Sequence, residues 1–203
     1  MDSSTGQEFE IILGSSSVAR KKILADMGFE FTTMSADIDE KAIRKEKPED
    51  LVMALAEAKA NAIVGKLKNV ENQEKGAKST LVIAADTVEN VQPKRHGKED
   101  AESTLLITCY SGGRAATVSS VLVTNLSTGL RKGDWDKVEI HFHDIPEQII
   151  DNLIEEGNVL NVAGGLIIEH PLVLPYVKEV VGGTDSVMGL PKELTRRLMK
   201  EVL

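Results

Sequence analysis

The stretch FEIILGSSSVARKKIL, Phe9 to Leu24, most constrains what this chain can fold into. An apolar run, Ile11-Ile12-Leu13, stops at Gly14, and three hydroxyl residues follow, Ser15, Ser16 and Ser17. A helical pattern then runs from about Val18 to Met27, with Ile23, Leu24 and Met27 inward and Gly28 at the C′ position. Arg20, Lys21 and Lys22 sit in its first turns. Strand, small-residue turn and helix start together can cradle an anion. Glycine lets the backbone approach, the first helical N–H groups lack internal acceptors, and the dipole adds positive potential. Two readings stand. In one, Ser15–Ser17 and Arg20 hold an anionic ligand. In the other, the serines cap a helix and Arg20–Lys22 form a solvated face.

The 203 residues suffice for one large domain or two small lobes with a sizeable core. A net charge of −8 argues against nonspecific binding to DNA or anionic membranes, but leaves room for a local basic pocket that takes a phosphorylated small molecule. One Trp, two Tyr and four Phe offer few stacking platforms for single-stranded nucleic acid. The single cysteine, Cys109, permits no disulfide framework and reads as a buried, inert thiol. No apolar run reaches transmembrane length, and MDSSTGQEFE has neither the basic nor the apolar region of a secretory leader. A soluble, cytoplasmic protein is expected.

Along the chain, Phe29–Thr33 alternates as a strand, and Asp37-Ile38-Asp39-Glu40 gathers three carboxylates that serve either as a solvated turn or as oxygen ligands for a divalent cation. Pro48 opens a helix with the stripe Leu51, Val52, Leu55, Ala58, Ala62 and Ile63, closed by Gly65. Lys59 falls on or beside this stripe and either snorkels to solvent or points into a site. Lys66–Ser79 reads as a surface loop. Thr80–Ala85 is an almost continuous apolar run, a strand buried on both faces that ends at Asp86-Thr87. A carboxylate there needs a cationic partner or a ligand.

The remainder begins with a polar loop, Glu89–Asp100, and a short helix to Tyr110. The turn Ser111-Gly112-Gly113 leads to strands at Ala116–Thr124 and Val138–His143, with His141 and His143 on a solvent-facing side. A helix follows Pro146, with Ile149, Ile150, Leu153 and Ile154 inward and Gly157 after it. Thr184–Leu190 reads as a loop, and Pro191 opens a last helix with Leu194, Leu198 and Val202 inward. Strands and helices alternate early, then a hairpin and helices follow, which predicts an α/β (α+β) fold with a mixed sheet.

Taken in order, these pieces resemble the Maf family of nucleoside triphosphate pyrophosphatases. The matching motifs are Ile12-Leu13-Gly14-Ser15-Ser16-Ser17 with Arg20, Asp37-Ile38-Asp39-Glu40, Lys59-Ala60, Ala85-Asp86-Thr87-Val88, Ser111-Gly112, Ala163-Gly164 and Val187-Met188-Gly189-Leu190-Pro191. The resemblance covers nearly the whole chain as one Maf-like domain, residues 1–203. It implies an inosine triphosphatase-like fold, with an elongated mixed sheet, flanking helices and a deep cleft between two lobes. It also implies a homodimer, a divalent cation (Mg²⁺, Mn²⁺ or Co²⁺), and cleavage of a triphosphate between the α- and β-phosphates to a monophosphate and pyrophosphate. By residue, it implies phosphate binding by Ser15, Ser16, Ser17 and Arg20, metal ligation by Glu40 and Asp86, and catalytic roles for Lys59, for Asp86 as proton acceptor and for a second lysine. Lys98 holds that last position by its distance from Asp86, with Lys94 as the alternative.

Three motifs depart from the family pattern. Val18-Ala19-Arg20 replaces the Pro-Arg-Arg of Ser-Pro-Arg-Arg, so that Ala19 stands for its first arginine, and Gly97-Lys98-Glu99 replaces Gly-Lys-Pro. Glu169 replaces a glutamine of the dTTP/UTP-type members and resembles the 7-methyl-GTP type, whereas Thr87 resembles the dTTP/UTP type. A carboxylate at the base favours N–H donors, as guanine-like bases and cytosine present. Ala19 and the altered loop also admit a second reading, a nucleotide-binding regulator of cell division with little turnover.

Overall fold

The computed structural model describes residues 8–70, 79–92, 111–156 and 167–203. The elements are β1 (Phe9–Gly14), α1 (Val18–Asp26), β2 (Thr32–Thr33), a 3₁₀ turn (Glu40–Ala42), α2 (Pro48–Val70), β3 (Ser79–Gln92), β4 (Arg114–Asn125), β5 (Arg131–Phe142), α3 (Glu147–Glu156), a second 3₁₀ turn (Leu174–Tyr176), β6 (Val177–Val181), α4 (Thr184–Val187) and α5 (Lys192–Val202). The six strands form one mixed sheet in the order β2-β1-β3-β4-β5-β6. β1 runs parallel to β2 and β3, and β5 antiparallel to β6.

The chain divides into two compact units. The first comprises Met1–Asp86, Ser119–Asp136 and Asp185–Leu203, and the second Thr87–Val118 and Lys137–Thr184. In the first unit both faces of the sheet are covered. On one face Ile11, Leu13, Leu81, Ile83, Ala85, Val121 and Val123 pack with Ile23 and Leu24 of α1 and with Leu194, Leu198, Met199 and Val202 of α5. On the other face Ala84 and Leu122 meet Ala56 and Ala60 of α2. The unbroken apolar run of β3 is therefore buried from both sides, as its composition requires. In the second unit Val138, Ile140 and Phe142 are buried in alternation along β5, and Ile150 and Leu153 are the buried positions of α3.

Several boundaries move. The pairing of Phe29–Thr33 shrinks to Thr32–Thr33, because the register sets Ile12 and Leu13 opposite only these two residues. Phe29 and Phe31 pack against the core without joining the ladder. α2 does not stop at Gly65 but runs on to Val70, which carries Lys66 to Ser35 and Asp37. Its buried row is Val52, Leu55, Ala56, Ala60 and Ile63, with Ala56 and Ala60 in place of Ala58 and Ala62. β3 continues through Asp86 to Gln92, so Asp86 lies within a strand and not after one. The connection from β4 to β5 is only Leu126–Leu130, with Asn125 N–H donating to the Leu130 carbonyl at 2.9 Å. Thr184–Val187 is a helical turn and Val177–Val181 an edge strand that the sequence reading missed. The helix before Tyr110, Cys109, Gly157 and Ala163-Gly164 lie outside the described residues.

Gly14 has a packing reason different from anion approach. A Cβ there would strike the Ile63 Cδ1 of α2 and press on the Ile83 carbonyl at 3.3 Å. Gly14→Ala should therefore lower stability by about 1–3 kcal/mol in urea denaturation, since the fully buried Ile63 must leave its rotamer. Gly65→Ala should act the other way. Gly65 is exposed in mid-helix with nothing within 4 Å of the place an alanine methyl would take, so alanine should stabilise by about 0.5–1 kcal/mol.

Candidate active site

Strand register brings the two suggestive segments to one end of the sheet. Gly14 pairs with Ala84 in the parallel β1–β3 ladder. The chain beyond Gly14, Ser15–Ser17, and Asp86, two residues past Ala84 within β3, therefore lie at the same end of the β1–β3 ladder, the C-terminal end of parallel pairing. Asp86 shares the α2-facing side with Ala84, because side chains alternate along a strand.

Lys59 does not snorkel. Its ammonium lies 2.5 Å from Asp86 Oδ1 and 2.8 Å from Glu40 Oε1. The Lys59 side chain is 12% exposed and that of Asp86 9%, whereas Glu40 is 55% exposed. The cluster is thus closed at Asp86 and open at Glu40. Burial pushes the Asp86 carboxyl above its ordinary value, with a smaller push from Glu40, while Lys59 and Arg20 pull it back. Burial likewise lowers Arg20, and the charges of Asp86 and Glu40 oppose that shift. Lys59 touches both carboxylates, and the charge of Arg20 adds to the balance around them.

α1 begins beside this cluster. Ser17 is its N-cap, its Oγ accepting from Arg20 N–H at 3.4 Å. Ser15 Oγ accepts from Ser17 N–H at 3.2 Å and from Arg20 Nη1 at 3.4 Å. Arg20 Nε donates to the Gly189 carbonyl at 2.9 Å. Ser17 caps the helix as the second reading has it, but Arg20 is folded back over the helix start instead of joining a solvated face. Ser16 is exposed.

The three clustered carboxylates separate. Asp37 pairs with Lys66 at 2.5 Å and accepts from Ser35 Oγ at 3.1 Å. Asp39 caps the 3₁₀ turn, accepting from Lys41 N–H at 3.1 Å. Glu40 alone turns to Lys59. Thr87, next after Asp86, falls on the opposite side of β3 by strand alternation and belongs to the second unit. Glu169 is exposed in a turn of the second unit. Lys94 and Lys98 lie outside the described residues. His141 is half-buried with Nε2 4.0 Å from Glu139, and His143 is exposed. No group of three His, Cys, Asp or Glu side chains converges among the described residues. The sequence reading missed the Gly189 carbonyl as a partner of Arg20, because a backbone contact 169 residues away leaves no local signal.

An N-capped helix start, an arginine and a lysine–carboxylate cluster at one end of a mixed sheet are groups of the kind that suit a polyphosphate. Over residues 10–202 the chain matches the family described as Maf-like protein. It is 36% identical over 194 residues to a 7-methyl-GTP pyrophosphatase of Dictyostelium discoideum, covering 95% of this chain and 96% of that protein. It is 30% identical over 193 residues to a dTTP/UTP pyrophosphatase of Bacillus pumilus, covering 94% and 95% respectively. It is 27% identical over 194 residues to a nucleoside triphosphate pyrophosphatase of Salinispora tropica, covering 95% and 83%. The chain belongs to the Maf family. Among the described residues, no helix is long and apolar enough to cross a membrane.

The Lys66 contacts hold the Asp37 carboxyl below its ordinary 3.8, with Ser35 assisting. Its pairing therefore stabilises the fold above that pH and is lost as pH falls through the depressed value. An NMR titration should find Asp37 below 3.8, and Lys66→Met should return it toward that value.

Proposed function

We propose that this protein hydrolyses nucleoside triphosphates to the monophosphate and pyrophosphate. The observation that carries this reading is the single ammonium of Lys59 bridging Glu40 and Asp86, with Arg20 and the start of α1 within reach. The names of the relatives support the reaction class.

Ser15–Ser17, the first N–H groups of α1 and Arg20 take the polyphosphate. Lys59 neutralises charge at the reacting phosphate. Asp86 accepts the proton of the attacking water, whose oxygen bonds to the α-phosphorus as the bond to the bridging α–β oxygen breaks and pyrophosphate leaves. Burial favours this role by raising the basicity of Asp86, while Lys59 and Arg20 keep that rise in check. The donor set also fits a divalent cation: Glu40 and Asp86 converge on one positive centre, and two carboxylates beside phosphate oxygens and water suit Mg²⁺, Mn²⁺ or Co²⁺. When bound, such an ion supplies Lewis acidity toward the phosphate oxygens. Lys98, or Lys94, is the second lysine of this reading.

The substrate class we favour is a guanine-type triphosphate such as 7-methyl-GTP. The Dictyostelium relative carries that name, and the Glu169 carboxylate accepts N–H donors of a base edge. Thr87 would contact the nucleoside. The family resemblance also underlies the assignment as a cytoplasmic homodimer, and the net charge of −8 disfavours nucleic-acid and membrane partners.

The test is pyrophosphate release from 7-methyl-GTP, GTP, CTP, dTTP and UTP with Mg²⁺ or Mn²⁺. Release from at least one triphosphate is expected; nucleotide binding without any release would instead favour the regulator of cell division. Asp86→Asn should lower kcat by about 10²–10⁴-fold while circular dichroism shows the fold retained. Glu169→Gln should move the ranking away from 7-methyl-GTP, and an unchanged ranking would take base recognition away from Glu169.

A further inference from the structure

The segment after Thr184 is more tightly built than a loop. Gly189 N–H donates to the Ser186 carbonyl and Leu190 N–H to that of Asp185, each at 3.0 Å. The Asp185 carboxylate accepts from Lys192 N–H at 2.6 Å, joining the segment to the start of α5. From β4, the buried Ser119 hydroxyl donates to the same Ser186 carbonyl at 2.7 Å. Gly189 itself has φ +99°, a conformation that side chains with a Cβ rarely adopt. All of these residues belong to the first unit, with the active-site cluster.

This frame ends in one carbonyl, that of Gly189, which accepts from Arg20 Nε at 2.9 Å. A guanidinium held at Nε and at a second nitrogen has its plane fixed, because its five N–H bonds form a rigid fork. The second hold, Nη1 to Ser15 Oγ at 3.4 Å, lies at the other end of the fork. A lysine or a loosely tethered arginine would supply charge here but no fixed plane.

The geometry points to Gly189 and Ser119 as positioning residues for polyphosphate binding, acting through Arg20. Ser119 holds the turn, the turn presents the Gly189 carbonyl, and that carbonyl orients the guanidinium at the start of α1. The inference rests on the reading of Arg20 as a polyphosphate-binding group.

The test is a double-mutant cycle on the full chain, with inorganic tripolyphosphate binding followed by calorimetry. Arg20→Met should weaken binding by about 10–100-fold, the range of a charge-assisted contact. Ser119→Ala and Gly189→Ala should each weaken it by about 3–10-fold alone, and Ser119→Ala by less than about 1.5-fold in the Arg20→Met background, since coupled residues are non-additive. In pyrophosphate release, Ser119→Ala should raise KM more than it lowers kcat. Ser119→Ala removes only a hydroxyl, so it carries the test even where Gly189→Ala does not fold. Unchanged tripolyphosphate affinity in folded Ser119→Ala, or an equal loss with and without Arg20, would overturn the inference while wild-type turnover leaves the proposed function standing. A wild-type chain that binds no tripolyphosphate would overturn the inference, and one that also releases no pyrophosphate from any triphosphate would overturn both.

Discussion

The close approach of α2 to β3 is the constraint on which the rest depends. It is made of small residues: Ala56 and Ala60 on the helix, Ala84 on the strand, and Gly14 beneath Ile63 on the neighbouring strand. Larger side chains there would hold the helix away from the sheet. The Lys59 ammonium, one position before Ala60, would then not reach Asp86, two positions after Ala84. The ion pair that results sits where desolvation is costly, and burial pushes the Asp86 carboxyl up while Lys59 pulls it back. Glu40 and Arg20 complete the balance of charge around it.

Topology explains why this pair lies near a helix start. β1 and β3 are parallel neighbours although α1, β2 and α2 separate them in sequence. The Gly14–Ala84 register brings the chain after β1 and the Asp86 part of β3 to the same end of their shared ladder. One segment contributes hydroxyls, helical N–H groups and an arginine, and the other a carboxylate. In the proposed reaction the first set would hold the anion and the carboxylate would take the proton of the water, and parallel pairing is what joins them.

Much of this was legible beforehand because it rests on local rules. The N-cap at Ser17, the C′ glycine at Gly28 with φ +85°, the proline start of α2 and the inward row of α5 follow from neighbours a few residues apart. The double-sided burial of Leu81–Ala85 was written in an unbroken apolar run. The boundaries that failed did so where pairing partners decide. β3 outlasts its apolar run, running on to Gln92 well past the end of its pairing with β1, and β2 is cut to two residues by its register with β1. Gly65 fails to end α2 because the tertiary anchor of Lys66 on Asp37 and Ser35 lies beyond it.

By itself the sequence determined the kinds of groups available: hydroxyls ahead of a helix, a lysine on a buried helical face, a carboxylate amid an apolar strand, and an order of motifs that marks the family. Periodicity and capping act over single turns, so they can be read from adjacent residues. Tertiary structure alone decided which of these groups meet. It chose Glu40 over Asp37 and Asp39 as the partner of Lys59, turned Arg20 from a solvated face onto the Gly189 carbonyl, and gave Gly14 to the packing of Ile63. Those outcomes depend on helix–sheet distance and strand register, which are properties of the packed whole and leave no trace in any short stretch of chain.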